Sequence, residues 1–274
     1  MGGILLRFAP RAKAEYRDAC RRGFLCGGAR PRGARAPGRR PSAPSEPGAE
    51  VAIAGLYPGV QDLTARYGTL SLGPRPQTRG VVLHRTETRT AASVLSAYRD
   101  RIQKGSDIGA QYLIDEDGAT LLITPADALV SHTHGFNEVT LGIEVVGPAI
   151  RLDPYGGSRP LRRQLAAIPL SPQLKARLLG YDDRTLARVV AANGREIYPD
   201  LTAAQKDAVL TLCYLLARDY ELDLGSLSQP GPQESGRNNY TLDDLPAFSA
   251  HEHLDDKALG EGEAMIELLA AAAK

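Results

Sequence analysis

Tryptophan is absent from the 274 residues, and aromatic side chains make up only 5% of the chain, so any core is left mainly to aliphatic residues. Hydrophobic residues nevertheless reach 43%, within the ordinary range for a globular chain able to bury a core. Long apolar runs are also missing. None approaches the roughly 20 residues that cross a bilayer, which argues against a membrane span. At the start of the chain, Gly3-Ile4-Leu5-Leu6 gives way to Arg7, too short for a signal-peptide core. Without such a signal, the expected setting is the cytoplasm or export to the cell wall by a non-classical route. Strong net charge is lacking too. At +1 the chain has no general attraction for nucleic acid or an anionic membrane. Cysteine is scarce: Cys20 and Cys26 lie near the N-terminus and Cys213 on an expected helix, a pattern that offers no disulfide framework and leans toward a reducing compartment.

The near-neutral total hides an asymmetry. Residues 1–50 carry eleven Lys/Arg against four Asp/Glu. From Gly27 to Glu50 the composition is mostly Gly, Ala, Arg, Pro and Ser, which cannot bury enough apolar surface to offset chain entropy. Residues 1–51 are therefore expected to be a disordered basic tail, and 52–274 to form one α/β domain. Within it, Val81-Val82-Leu83 reads as a buried strand ending at His84, and Thr90 to Lys104 as a helix closed by Gly105. Gln111 to Ile114 and Thr120 to Ile123 read as strands joined at Asp117-Gly118, a strong hairpin signal. Thr140 to Val146 reads as a further buried strand. Residues 148–200 break the rhythm with Gly156-Gly157, several prolines and basic residues from Arg159 to Arg163. They are expected to be an insertion, with helix around Ser171 to Leu179 and Arg184 to Ala192. The clearest helix follows: Thr202 is an N-cap, Gln205 completes a capping box, and Val209, Leu212, Cys213, Leu216 and Tyr220 recur at helical spacing. Gly225 to Asn239 reads as a polar loop, and no internal repeat is visible.

Five histidines fall into three clusters, His84, then His132 and His134, then His251 and His253, each expected after a strand or in a loop. Imidazole and carboxylate are the donors of a catalytic zinc, which keeps three protein ligands and one open position. Such a hydrolase also needs a carboxylate base. Glu144 fits that role because it interrupts the apolar run Leu141-Gly142-Ile143-Glu144-Val145-Val146, where burying a carboxylate is costly. The competing reading is a glutamate facing solvent from an edge strand.

These segments together resemble the type 2 N-acetylmuramoyl-L-alanine amidases, a group that includes AmpD-like enzymes, T7-type phage lysozymes and peptidoglycan recognition proteins. The resemblance lies in Val82-Leu83-His84-Arg85-Thr86, in Ile108 to Gly118, in Ser131 to Asn137 followed by Leu141 to Gly147, and in Ala250-His251-Glu252-His253-Leu254. It implies a mixed central β-sheet flanked by helices, a Zn2+ cofactor and a peptidoglycan or muropeptide substrate cut between N-acetylmuramic acid and L-alanine. It further implies that His84 and His251 bind zinc, that Glu144 is the base, that His132 and Asn137 lie on the substrate side, and that Lys257 supports the transition state. The third ligand is ambiguous: T7-type spacing points to Leu259, which cannot bind metal, and AmpD-type spacing to Glu261, where the family usually has aspartate or cysteine. Glu261 is the expected ligand, with Asp256 and His253 as substitutes. Ala110 stands where some relatives carry a catalytic tyrosine. Three alternatives compete: a recognition module that has lost full zinc ligation, a zinc amidohydrolase for another acyl-amino acid, and a structural domain with incidental histidines.

Overall fold

The computed structural model describes residues 53–154, 160–231, 237–255 and 258–274; the expected basic tail lies outside them, as do Asp256 and Lys257. In chain order the elements are β1 (Gln61–Asp62), α1 (Thr64–Tyr67), β2 (Gly80–Arg85), α2 (Ala91–Gln103), β3 (Tyr112–Ile114), β4 (Thr120–Leu122), β5 (Thr140–Val145) and β6 (Ile150–Arg151). There follow α3 (Leu161–Ala166), α4 (Pro172–Gly180), α5 (Asp183–Ala192), β7 (Glu196–Ile197), α6 (Ala203–Asp219), β8 (Phe248–Ala250), α7 (His251–Leu254) and α8 (Glu263–Ala272). Among these described residues no helix is long and apolar enough to cross a membrane.

Six strands form one mixed sheet in the order β1-β4-β3-β5-β2-β8. Only β3 and β4 run antiparallel, joined through the Asp117-Gly118 turn, where Gly118 has φ +85°. The neighbours β3, β5, β2 and β8 are all parallel, so their carboxyl ends line up along one edge. Crevices at that edge are where open α/β sheets bind ligands.

Alternation along the strands decides what each face carries. Val81 and Leu83 of β2 and Leu141, Ile143 and Val145 of β5 enter a core shared with Val209, Leu212 and Leu216 of α6 and Met265 and Leu269 of α8. The interleaved residues His84, Gly142 and Glu144 must therefore face the other side, the side covered by α2 through Val94 and Tyr98. Helix α6 begins as its sequence requires: the Thr202 side chain accepts from the Gln205 N–H, and Gln205 answers at the Thr202 N–H. Gln205 is also buried and donates to the Val146 carbonyl at 2.7 Å, anchoring the helix to the strand that carries Glu144.

Segment 148–200 has a core of its own. Leu152, Leu165, Leu174, Leu178, Leu186, Val190 and Ile197 pack together, and β6 pairs antiparallel with β7 to bring its two ends together. One residue from elsewhere in the chain, Leu259, completes this core.

Two expectations need correction. His84 lies inside β2, one residue before its end, and His253 lies within the short helix α7, whereas His251 directly follows β8 as expected. Strand β2 runs on through His84 because its pairing with β5 continues past the apolar run, to His84↔Glu144 and Arg85↔Val145.

Candidate functional site

The register of the sheet sets His84 directly beside Glu144, one on β2 and the other on β5, with both side chains on the α2 face. Leu83 is paired with Ala250, and the residues that follow, His84 in β2 and His251 at the start of α7, are neighbours as well. Because β5 lies third from the β8 edge of the sheet, Glu144 is not an edge-strand residue exposed by default. It is half-buried and lines a cleft of about 430 Å³ with His84, His132, His251, Glu261 and Tyr98. A second cavity of similar size, about 410 Å³ against α6, is lined by residues such as Pro58, Val60, Asp117 and Leu215 and holds no histidine.

Three donor atoms converge in the cleft. The Nδ1 atoms of His84 and His251 are 2.7 Å apart, and Glu261 Oε1 lies 2.8 Å from His251 Nδ1 and 3.9 Å from His84 Nδ1. All three residues are buried, and their donor atoms fall within 4.8 Å of one another. Burial, reinforced by the neighbouring His251, pushes His84 below its ordinary value and keeps its ring neutral. Burial would raise the Glu261 carboxyl, but the adjacent His251 and His84 outweigh it and hold the group at about 2. Neutral imidazole and ionised carboxylate are the forms that coordinate a divalent metal, and two nitrogens with one oxygen form a three-ligand set that leaves a tetrahedral position open.

His132 fixes which nitrogen of His84 is free. Thr140 O is a carbonyl and can only accept, so the His132 Nε2–H donates to it at 3.2 Å. The neutral ring then presents a lone pair at Nδ1, which lies 3.1 Å from His84 Nε2. His84 must donate there, and its own Nδ1 is left with a lone pair directed at His251 and Glu261. Burial and the adjacent His84 push His132 well below its ordinary value, which preserves this arrangement. The ring of His132 packs over Gly142, where a Cβ would meet it at 3.0 Å. Asn137 holds the loop in place: its Oδ1 accepts the backbone N–H of His132 at 2.9 Å and of Thr133 at 2.8 Å.

Other sequence candidates lie elsewhere. His134 is exposed. The backbone of Leu259 pairs with Ile197, and its side chain is buried in the core of segment 148–200. His253 turns away from the cleft, with Nδ1 2.8 Å from Ser228 Oγ, and sits in a separate buried group with Glu252 and Glu263. Lys257, the expected transition-state lysine, is outside the described residues. Two side chains were not singled out from the sequence. Tyr98 read only as a helix residue, yet it lines the cleft. Glu252 is buried between two histidines of the motif, a position that itself was a signal. Burial and the nearby Glu263 and Glu261 push its carboxyl up to about 8.

The comparison with family models identifies a family. The model for N-acetylmuramoyl-L-alanine amidases matches residues 74–229, a span that includes His84, His132 and Glu144 and ends ahead of His251 and Glu261. No curated protein sequence matches the chain. Among solved structures, the chain is similar to the endolysin amidase LysCS from Clostridium intestinale, with 14% identity, 80% of this chain and 97% of that one covered, and a TM-score of 0.46. It is similar to the Ph2119 endolysin from a Thermus scotoductus bacteriophage, at 16% identity, 77% and 98% coverage and a TM-score of 0.42. A Drosophila peptidoglycan recognition protein, PGRP-SA, is similar at 17% identity, 72% and 82% coverage and a TM-score of 0.39. With the family model spanning more than half of its length, the chain belongs to the type 2 N-acetylmuramoyl-L-alanine amidases.

Proposed function

We propose that the protein is a zinc-dependent hydrolase that cleaves the amide between N-acetylmuramic acid and L-alanine in peptidoglycan or muropeptides. One observation carries the reading: two imidazole nitrogens and a carboxylate oxygen from His84, His251 and Glu261 converge in a cleft that also holds Glu144. Three acceptors so close repel one another unless a proton or a cation lies among them. Zinc held there supplies a Lewis acid that polarises a carbonyl and makes water a better nucleophile. Glu144, on the neighbouring strand, takes a proton from the attacking water as its oxygen bonds to the lactyl carbonyl carbon. When the C–N bond breaks, Glu144 returns that proton to the leaving alanine amine. The products are a muramyl carboxylic acid and a free stem peptide, with water divided between them. His132 orients His84 through the Nε2–H to Nδ1 hydrogen bond and borders the substrate. Lys257 is assigned to support of the oxyanion, and Asn137 to holding the His132 loop toward substrate.

The direct test incubates purified sacculi and soluble muropeptides with the protein, with and without chelator, and reads the products by mass spectrometry. Release of free stem peptides that stops with chelator is the expected result. Intact substrate in both forms, from folded protein that holds zinc poorly, would make the protein a recognition module. Cleavage of simple N-acyl amino acids alone would place it among other amidohydrolases.

The hydrogen-bond chain through His132 gives a second expectation. His132→Ala leaves the His84 tautomer unconstrained, and zinc affinity should fall about 10- to 100-fold, the usual effect of removing a ligand's orienting partner. Competition against a chromophoric chelator measures it. Unchanged affinity would mean that His132 serves substrate alone.

A further inference from the structure

We propose that Glu252 and segment 148–200 form a two-sided clamp that sets Glu261 as the third metal ligand, making the segment a working part of the metal centre. This rests on the zinc reading above. Glu261 sits in the described stretch 258–262 ahead of α8, where Gly260 has φ +77°, so its position depends on what packs against that stretch.

On one side stands Glu252. Its Oε2 accepts the Gly262 N–H at 2.6 Å and its Oε1 the Glu263 N–H at 2.9 Å. Both donors belong to the start of α8, where helical N–H groups have no partner within the helix. Glu252 follows His251 directly, and Gly262 follows Glu261 directly. One carboxylate thus ties the backbone beside one ligand to the backbone beside another. Close packing supports the tie. A Cβ on Gly262 would come within 2.5 Å of Leu83 O and 2.8 Å of Ala250 Cα, the residues that precede His84 and His251. The ligand loop is therefore pressed onto β2, which carries His84, and onto the last residue of β8, which leads into His251.

On the other side stands segment 148–200. Leu259, only 1% exposed, joins the core of that segment with Leu174 and Ile197, and the Tyr198 N–H donates to Leu259 O at 2.9 Å. Two further links seat the segment on α8: Arg177 pairs with Glu263 at 2.5 Å, and Glu267 accepts from Ser171 Oγ at 2.6 Å and from the Leu174 N–H at 2.9 Å. The loop gives a leucine to the segment and, two positions later, a carboxylate to the cleft.

The test uses the full chain with zinc, in competition with a chromophoric chelator, and with cobalt as a spectroscopic substitute. Glu252→Gln keeps the shape but sets an NH2 group against one of the two N–H donors. The zinc dissociation constant should rise about 10- to 100-fold, the range for lost partners outside the ligand set. The visible cobalt bands should shift with the changed ligand geometry, while KM for a muropeptide stays near the wild-type value. Leu259→Ala loosens the opposite side, keeps the Glu252 hydrogen bonds, and should weaken zinc at least tenfold. It decides the matter should Glu252→Gln not fold. Folded variants with wild-type zinc affinity and cobalt spectrum overturn the clamp. Wild-type protein that binds zinc but cleaves no muropeptide refutes the amidase reading and leaves the clamp standing; wild-type protein that binds no zinc refutes both.

Discussion

Glu144→Ala lowers kcat by about 10²- to 10⁴-fold or more, the range for loss of a positioned general base, while the protein retains its zinc. The expectation follows from the separation of roles in the cleft. Glu144 lies beside His84 in the sheet, but it is not one of the three residues whose donor atoms converge. Removing it should therefore leave the ligands intact. Steady-state kinetics on a muropeptide, with metal content measured on the same preparation, checks both halves. Turnover within a few-fold of wild type would remove Glu144 from the mechanism. Loss of zinc together with activity would make it a ligand instead of a base.

His84→Ala has the larger effect on the molecule as a whole. It removes one of two nitrogen donors, and a set of one imidazole and one carboxylate holds zinc far more weakly than three ligands do. Zinc content should drop below one-tenth of an equivalent, on the order of what a loss of tight binding implies, and activity should fall to background. Stability changes as well. Metal bound to the native state contributes about 4 kcal/mol when its free concentration is a thousand times the dissociation constant, and that contribution disappears with the site. Wild-type protein should lose Tm on adding chelator, whereas the His84→Ala variant should show no response to it. A variant that still responds to chelator would show that the metal sits elsewhere.

The residues near the site differ in how readily they could be found. His84 and Glu144 were accessible because each interrupts or ends an apolar strand, and in a strand the alternation of side chains already says which residues share a face. Helix α6 was equally accessible, since its capping box and helical spacing are local. His251 required more, because it meets His84 across 167 positions of chain. Only the family-like order of motifs suggested the pairing. Glu252 was overlooked because a glutamate between two histidines has no periodicity to mark it as buried.

Local pattern alone determined the α/β class, the strand-borne histidine and glutamate, and the capped helix behind them, since those depend on residues a few positions apart. Which of Leu259, Glu261 and His253 stands beside the paired imidazoles depends on tertiary packing. All three lie within ten positions of His251, and their spacing suits more than one answer. Segment 148–200 takes Leu259 into its core, Ser228 engages His253, and of these three it is Glu261 whose side chain reaches the paired imidazoles. A loop has no repeating geometry, so the direction of its side chains is set by whatever packs against it.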